Sequence, residues 1–241
     1  MAIASRHDRV RAAWAQHLAA SREAILLGVA RCAQRRRALV IGAGDCLDVP
    51  VEDLATAFGQ VVLADVVVSP VARGLARRFC GRVQCANWDA TGALSLLAAE
   101  GDTINPAEVQ RIFERADPGP PPGGEPDLVV SANCLSQLGL VPGHSLPTAA
   151  VDKELPGRCA VAAARRHLDW LAERSGVRVL LADVARLNIA PDGRELKREG
   201  LRERFGVRPP DRVWRWDLAP IPEWAQDFHR VHEVGMWIDG P

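Results

Sequence analysis

Five short, mostly apolar runs, Ala38 to Ile41, Val61 to Ala64, Val83 to Ala86, Asp127 to Ser131 and Val177 to Ala182, alternate along this chain with segments of helical period. Runs this short and this apolar on consecutive positions suit strands buried on both faces, and intervening helices supply the crossovers that parallel strands need. The helical segments are Val51 to Phe58, Pro70 to Phe79, Gly92 to Glu100, Pro106 to Ala116 and Gly157 to Ser175. The first of them is expected to start near Asp48-Val49-Pro50, where an Asp cap and an early Pro both favour a helix start. Upstream, Val10, Trp14, His17, Leu18, Ser21, Ile25, Gly28 and Cys32 recur at steps of three and four, which predicts an amphipathic helix from Val10 to Cys32.

Downstream, the charged stretch RELKREGLRERF reads as a solvent-facing helix from Arg194 to Phe205. Trp214, Trp216 and Leu218 then alternate with Arg215 and Asp217, a half-exposed strand, and Phe228 to Ile238 supplies a second. The expected fold is therefore α/β: a three-layer sandwich with a mostly parallel, doubly wound sheet and a C-terminal antiparallel strand pair. No internal repeat and no second core is evident, so residues 1–241 read as one domain, a helical extension over 1–34 and a Rossmann-like core over 35–241. The stretch DPGPPPGGEPD is a surface loop, because its prolines and glycines deny it regular structure.

Charge narrows the partners. Thirty basic side chains balance thirty acidic ones, so the broad attraction that draws proteins to nucleic acid or anionic membranes is missing. Six cysteines without a CxxC pair argue against a disulfide framework or zinc site and for buried free thiols. With no apolar signal core and no long apolar run, a cytoplasmic protein is expected. His229 and His232 in HRVH would point to opposite faces of a strand, which disfavours a metal pair, and no metal is expected. The oligomeric state is not legible.

In an open parallel sheet the ligand crevice lies beyond the carboxyl ends of the strands, so the residues there are the candidates. They are Gly42-Ala43-Gly44-Asp45-Cys46 after the first run, Asp65 after the second, Asn87-Trp88-Asp89 after the third, and Ser131-Ala132-Asn133 after the fourth. Glycines let backbone N–H groups face a ligand, an acid after the second strand suits ribose hydroxyls, Asp89 suits an adenine amino group, and Trp88 offers a stacking face. A dinucleotide fingerprint needs a glycine where Leu47 stands, and Asp45 and Asp48 would repel a pyrophosphate. A P-loop is excluded, since no Gly-Lys-Ser/Thr follows the turn. An acidic nucleoside pocket suits a cationic ligand, and S-adenosylmethionine is one.

The order ALVIGAGDC, VVLADV, ANWDAT, PDLVVSANCLSQL, GVRVLLADV resembles the class I S-adenosylmethionine-dependent methyltransferase superfamily. The resemblance implies that the turn of Gly42 and Gly44, with Ala43 between them, lies against the methionine part of the cofactor, that Asp65 binds the ribose, that Asp89 holds the adenine, and that Asn133 stands near the methyl group and the substrate. Val40 takes a place where many members carry an acid, and Cys46 the place of a third glycine. The strand after Asp127 lacks an Asp/Asn-Pro-Pro-aromatic motif, which points away from base or glutamine amino groups and towards a small-molecule acceptor. The implied function is methyl transfer to such an acceptor, with no general base named. The alternatives are a non-catalytic binding or assembly module, motivated by Val40 and Cys46, and an NAD-dependent oxidoreductase, for which Asp65 fits and the glycine spacing does not. His144 is a candidate base in a loop, and the N-terminal helix and the loop Val141 to Pro156 are candidates to cover a substrate.

Overall fold

The computed structural model describes residues 3–100, 104–139 and 152–241; His144 and most of the Val141 to Pro156 loop lie outside them. Chain order begins α1 (Ile3–Arg31), β1 (Arg37–Ile41), α2 (Val51–Ala57), β2 (Gln60–Asp65), α3 (Pro70–Arg78), β3 (Val83–Asn87), α4 (Leu94–Glu100) and α5 (Pro106–Arg115). It continues through β4 (Leu128–Ala132), a 3-10 turn (Leu135–Gln137), α6 (Leu155–Ala172), β5 (Val177–Ile189), β6 (Glu195–Gly200), α7 (Arg202–Phe205), β7 (Arg212–Ala219) and β8 (His229–Asp239). The strands form one sheet in the order β3-β2-β1-β4-β5-β8-β7, with β6 paired to β5 off that path. β1 to β5 run parallel, whereas β8 lies antiparallel between β5 and β7. The expected sandwich with its terminal strand pair is the one found.

The period of two sorts the central strands between the two layers. Ala38, Val40, Val61, Leu63, Leu128 and Val130 enter the core shared with Trp14, Ile25 and Leu54 of α1 and α2. Their alternates Leu39, Ile41, Val62, Ala64 and Val129 enter the core beneath Ala164, Trp170 and Leu171 of α6. A third cluster joins α4, α5 and α6 through Leu97, Phe113, Leu155 and Cys159.

The N-terminal helix begins earlier than its period suggests, and Val10 interrupts it with non-helical dihedrals (φ −121°, ψ 30°). Its apolar stripe lies on the sheet: Trp14, His17, Ser21, Ile25 and Cys32 are buried. Gly28 belongs to that stripe because a Cβ there would stand 2.3 Å from Val179 Cγ2 on β5. The variant Gly28→Ala is therefore expected to lose about 1–3 kcal/mol through overpacking, despite alanine's better helix propensity. A urea midpoint equal to or above wild type would contradict this packing.

Two expectations fail. The stretch from Arg194 to Phe205 is not one helix: Glu195–Gly200 is strand β6, antiparallel to β5, and only Arg202–Phe205 is helical. The cause is tertiary. β5 runs well beyond Ala182 to Ile189, and Pro191-Asp192-Gly193 turns the chain back, with Gly193 at φ +87° and Ala190 accepting from Gly193 N–H. Backbone pairing to that long neighbour overrides the helix propensity of Glu, Leu, Lys and Arg. Nor does Asp48 cap α2; Pro50 stands at its N-cap without a side-chain hydrogen bond, because the Asp48 carboxylate is engaged elsewhere. Of the cysteines, Cys32, Cys46 and Cys159 are buried, but Cys80 is exposed and Cys85 and Cys134 are part-buried. Among the described residues no helix is long and apolar enough to cross a membrane.

Candidate functional site

The sheet order reverses between β1 and β4, and a cleft of ≈ 380 Å³ opens at that point. All seven residues singled out from the sequence, Gly42, Ala43, Gly44, Asp65, Trp88, Asp89 and Asn133, line it.

The glycine turn is built from its neighbours. Gly42 and Ala43 N–H both reach the Ala64 carbonyl, at 3.0 and 3.3 Å. Gly42 takes φ +73°, and a Cβ there would lie 2.7 Å from Cys134 Cβ, so only glycine fits. Gly44 takes φ +49°, and a Cβ on it would meet nothing within 4 Å, while its N–H and carbonyl are held by Asp65 and Ser69. Cys46, in the third glycine position, also adopts a left-handed conformation, φ +55°. The turn thus keeps the glycine shape without the glycine, at a cost of about 1–2 kcal/mol in backbone strain. Val40 is fully buried in the core of the α1 face and does not line the cleft, whereas Asp45 and Asp48 do.

Asp65 ties the second strand to this turn. Its Oδ2 accepts from Gly44 N–H at 2.9 Å and its Oδ1 from Val67 N–H at 3.3 Å, which leaves acceptor capacity on both oxygens. Ser69, the N-cap of α3, donates its hydroxyl to the Gly44 carbonyl at 2.8 Å. Asp89 caps the start of α4: Oδ1 accepts from the N–H and hydroxyl of Thr91 at 2.8 and 2.6 Å, and Oδ2 from Leu94 N–H at 2.8 Å. Trp88 is anchored by donating Nε1–H to the Pro118 carbonyl at 3.1 Å, with its ring against Trp170.

Asn133 takes φ +51°, and its Nδ2 donates to Asp48 Oδ2 at 2.6 Å. Desolvation raises the Asp48 pKa, and the Asn133 hydrogen bond works against that rise. Asn133 Oδ1 is buried without a partner. Beneath the cleft floor, Ser131 Oγ lies 2.9 Å from His167 Nε2 and 3.4 Å from Cys134 Sγ; burial lowers the His167 pKa to about 4 and pushes the Cys134 thiol up to about 11.

Sequence reading named the N-terminal helix as a cover for the substrate but not the strand that helix meets. Trp14, His17 and Leu18 of α1 meet Trp216 of β7 at one wall of the cleft, close to 200 positions away along the chain. The His17 imidazole is stacked on Trp216 at 4.0 Å and 6°, and Trp14 meets Trp216 edge-on at 5.0 Å. The helical period had already placed Trp14 and His17 on one face, but nothing in the sequence paired that face with β7. His229 and His232 do point apart: His229 Nδ1 accepts from Ile221 N–H, while His232 Nδ1 stands 3.1 Å from Asp183 Oδ1.

The electrostatic character of the cleft is one-sided. Asp45, Asp48, Asp65 and Asp89 line it and no Arg or Lys among the described residues does; Arg22 reaches its edge by donating to the Leu47 carbonyl. Strand order, crevice position and glycine turn together are those of a doubly wound, Rossmann-like α/β fold. No family model and no curated protein matches the chain. Among solved structures, it is similar to the Burkholderia thailandensis 1,6-didemethyltoxoflavin-N1-methyltransferase, crystallised with 1,6-didemethyltoxoflavin and S-adenosylhomocysteine. The identity is 18%, over 98% of this chain and 85% of that one, with a TM-score of 0.43. A Leishmania major S-adenosylmethionine-dependent methyltransferase is similar at 15% identity, over 91% of this chain and 71% of that one, with a TM-score of 0.39. The fold is defined by the strand order and the crevice rather than by these likenesses.

Proposed function

We propose that this chain is an S-adenosylmethionine-dependent methyltransferase acting on a small molecule. The observation that carries the reading is the composition of the cleft: four carboxylates line it and no Arg or Lys among the described residues does, around a turn where the space beside Gly44 Cα is empty. An acidic wall stabilises a ligand bearing a sulfonium and an ammonium and repels a pyrophosphate, which separates this reading from a nicotinamide-dependent one. The residues present fit the cofactor. The space beside Gly44, between Gly42-Ala43 and Asp45, permits a close approach, Asp65 retains acceptor sites for ribose hydroxyls, Trp88 offers an apolar face, and Asp89 Oδ2 accepts Leu94 N–H. When bound, the cofactor supplies an electrophilic methyl group; the chain's task is to orient an acceptor beside it and keep water out.

Calorimetric titration is expected to show S-adenosylhomocysteine binding in the micromolar range or tighter and no heat with NAD. Silence with both ligands would sink the reading and favour a binding or assembly module. Binding of NAD alone would favour an oxidoreductase.

A further inference from the structure

His17 is a buried polar group that the cofactor reading does not use. It lines the cleft although only 1% exposed, flat against Trp216, and its Nδ1 accepts Trp214 Nε1–H at 3.1 Å. That bond fixes the tautomer: in the neutral ring the proton sits on Nε2. The ring is neutral because burial lowers its pKa to about 4, with His232 adding to the effect and Asp183 opposing it. No described residue accepts from Nε2–H. Nε2 is not among the buried polar atoms cut off from solvent, so this donor is open to water or to a ligand atom in the cleft that His17 lines.

We infer that the wall made by α1 and β7 is a subsite for a neutral, planar, aromatic molecule that presents a carbonyl oxygen or a ring nitrogen to His17 Nε2–H. That this molecule is the methyl acceptor rests on the methyltransferase reading; the subsite itself does not. Planarity follows from the walls, since Trp14, the His17 imidazole and Trp216 give an aromatic surface at one end of the cleft. Neutrality follows from charge. A carboxylate or phosphate here would face Asp45, Asp48, Asp65 and Asp89, against which stands Arg22, bonded to the Leu47 carbonyl and acting on Asp48. His17 is a specificity-determining donor and not a general base, because freeing Nε2 to accept a proton would force Nδ1 to surrender the Trp214 bond.

The test is an NMR titration with coumarin, naphthalene and coumarin-3-carboxylate, with and without saturating S-adenosylhomocysteine. Coumarin is expected to bind at least tenfold more tightly than either of the others. His17→Leu should reduce its advantage over naphthalene below threefold. His17→Gln, which loses the imidazole but keeps a donor in the Nε2 region, should restore most of it; both variants strip Trp214 of its acceptor, so that loss cancels between them. Survival of the advantage in His17→Leu, tightest binding of the carboxylate, or no coumarin binding at 2 mM would each overturn the inference. If S-adenosylhomocysteine leaves the spectrum unchanged while the coumarin preference depends on His17, the methyltransferase reading fails and the subsite stands. Cofactor binding without any preference gives the reverse.

Discussion

Asp65→Ala is expected to weaken S-adenosylhomocysteine binding by roughly a hundredfold or more, a loss of about 3 kcal/mol. Two effects combine. The carboxylate holds Gly44 N–H at 2.9 Å and Val67 N–H at 3.3 Å, so its removal loosens the turn at the cleft. It also removes the acceptor assigned to the ribose hydroxyls. Asp65→Asn separates these contributions: an amide oxygen can still accept Gly44 N–H, so the turn is better kept while the charge is lost, and an intermediate affinity is expected. Calorimetry measures the affinities, and circular dichroism checks that both variants fold. An Asp65→Ala affinity within threefold of wild type would remove Asp65 from the site and with it most of the support for the proposed function.

The second large effect is acid sensitivity. His17 and His167 are buried, and desolvation holds both near pKa 4 against an ordinary 6.5. In each case the unfolded chain takes up a proton as the pH falls through about 6.5, while the folded chain does not until about 4. Stability is thus fully present above pH 6.5 and declines between 6.5 and 4, by on the order of 3 kcal/mol per histidine. Against a typical total of about 5–15 kcal/mol, that is enough to bring the fold close to its midpoint. Asp183 acts at lower pH. Its carboxyl is desolvated, yet the bonds from His232 and Ser136 and the nearby Arg186 hold its pKa below the ordinary value, so its contribution is lost only as it protonates. Urea unfolding at half-unit pH steps should show a slope of about two protons between pH 6 and 5. His17→Gln and His167→Gln should each remove about one of them. A flat profile between pH 7 and 5, or an unchanged slope in both variants, would mean that these rings are not held neutral.

The sandwich and the seven strand-end residues were legible because they depend on short-range patterns. Buried strands announce themselves as apolar runs, and the crevice rule then names the residues that follow them, whatever their partners. Asp89 shows where such reading stops. Its place in the cleft follows from its place after β3, but its engagement with Thr91 and Leu94 depends on how α4 begins. Cys46 shows the converse. The sequence marks it as a departure from a glycine pattern, and only the backbone at φ +55° reveals that the turn keeps its shape regardless.

β6 was illegible for a physical reason. Its residues are nearly all exposed, so no alternation of apolar and polar side chains records the strand, and its helix-favouring composition points the other way. The Pro191-Asp192-Gly193 turn was the available signal, and it acquires meaning only beside the overlong β5.

By itself, then, the sequence determined the alternation of strand and helix, the acidic crevice at the strand ends, and the apolar face of α1. What only the tertiary structure decided was which surface that face would meet. Trp14 and His17 become a wall of the cleft because α1 crosses the sheet to reach β7, where Trp214 fixes the His17 tautomer and Trp216 stacks on its ring. Periodicity along one segment says that a face must be buried, whereas the identity of its partner is set by packing between segments that the linear order keeps far apart.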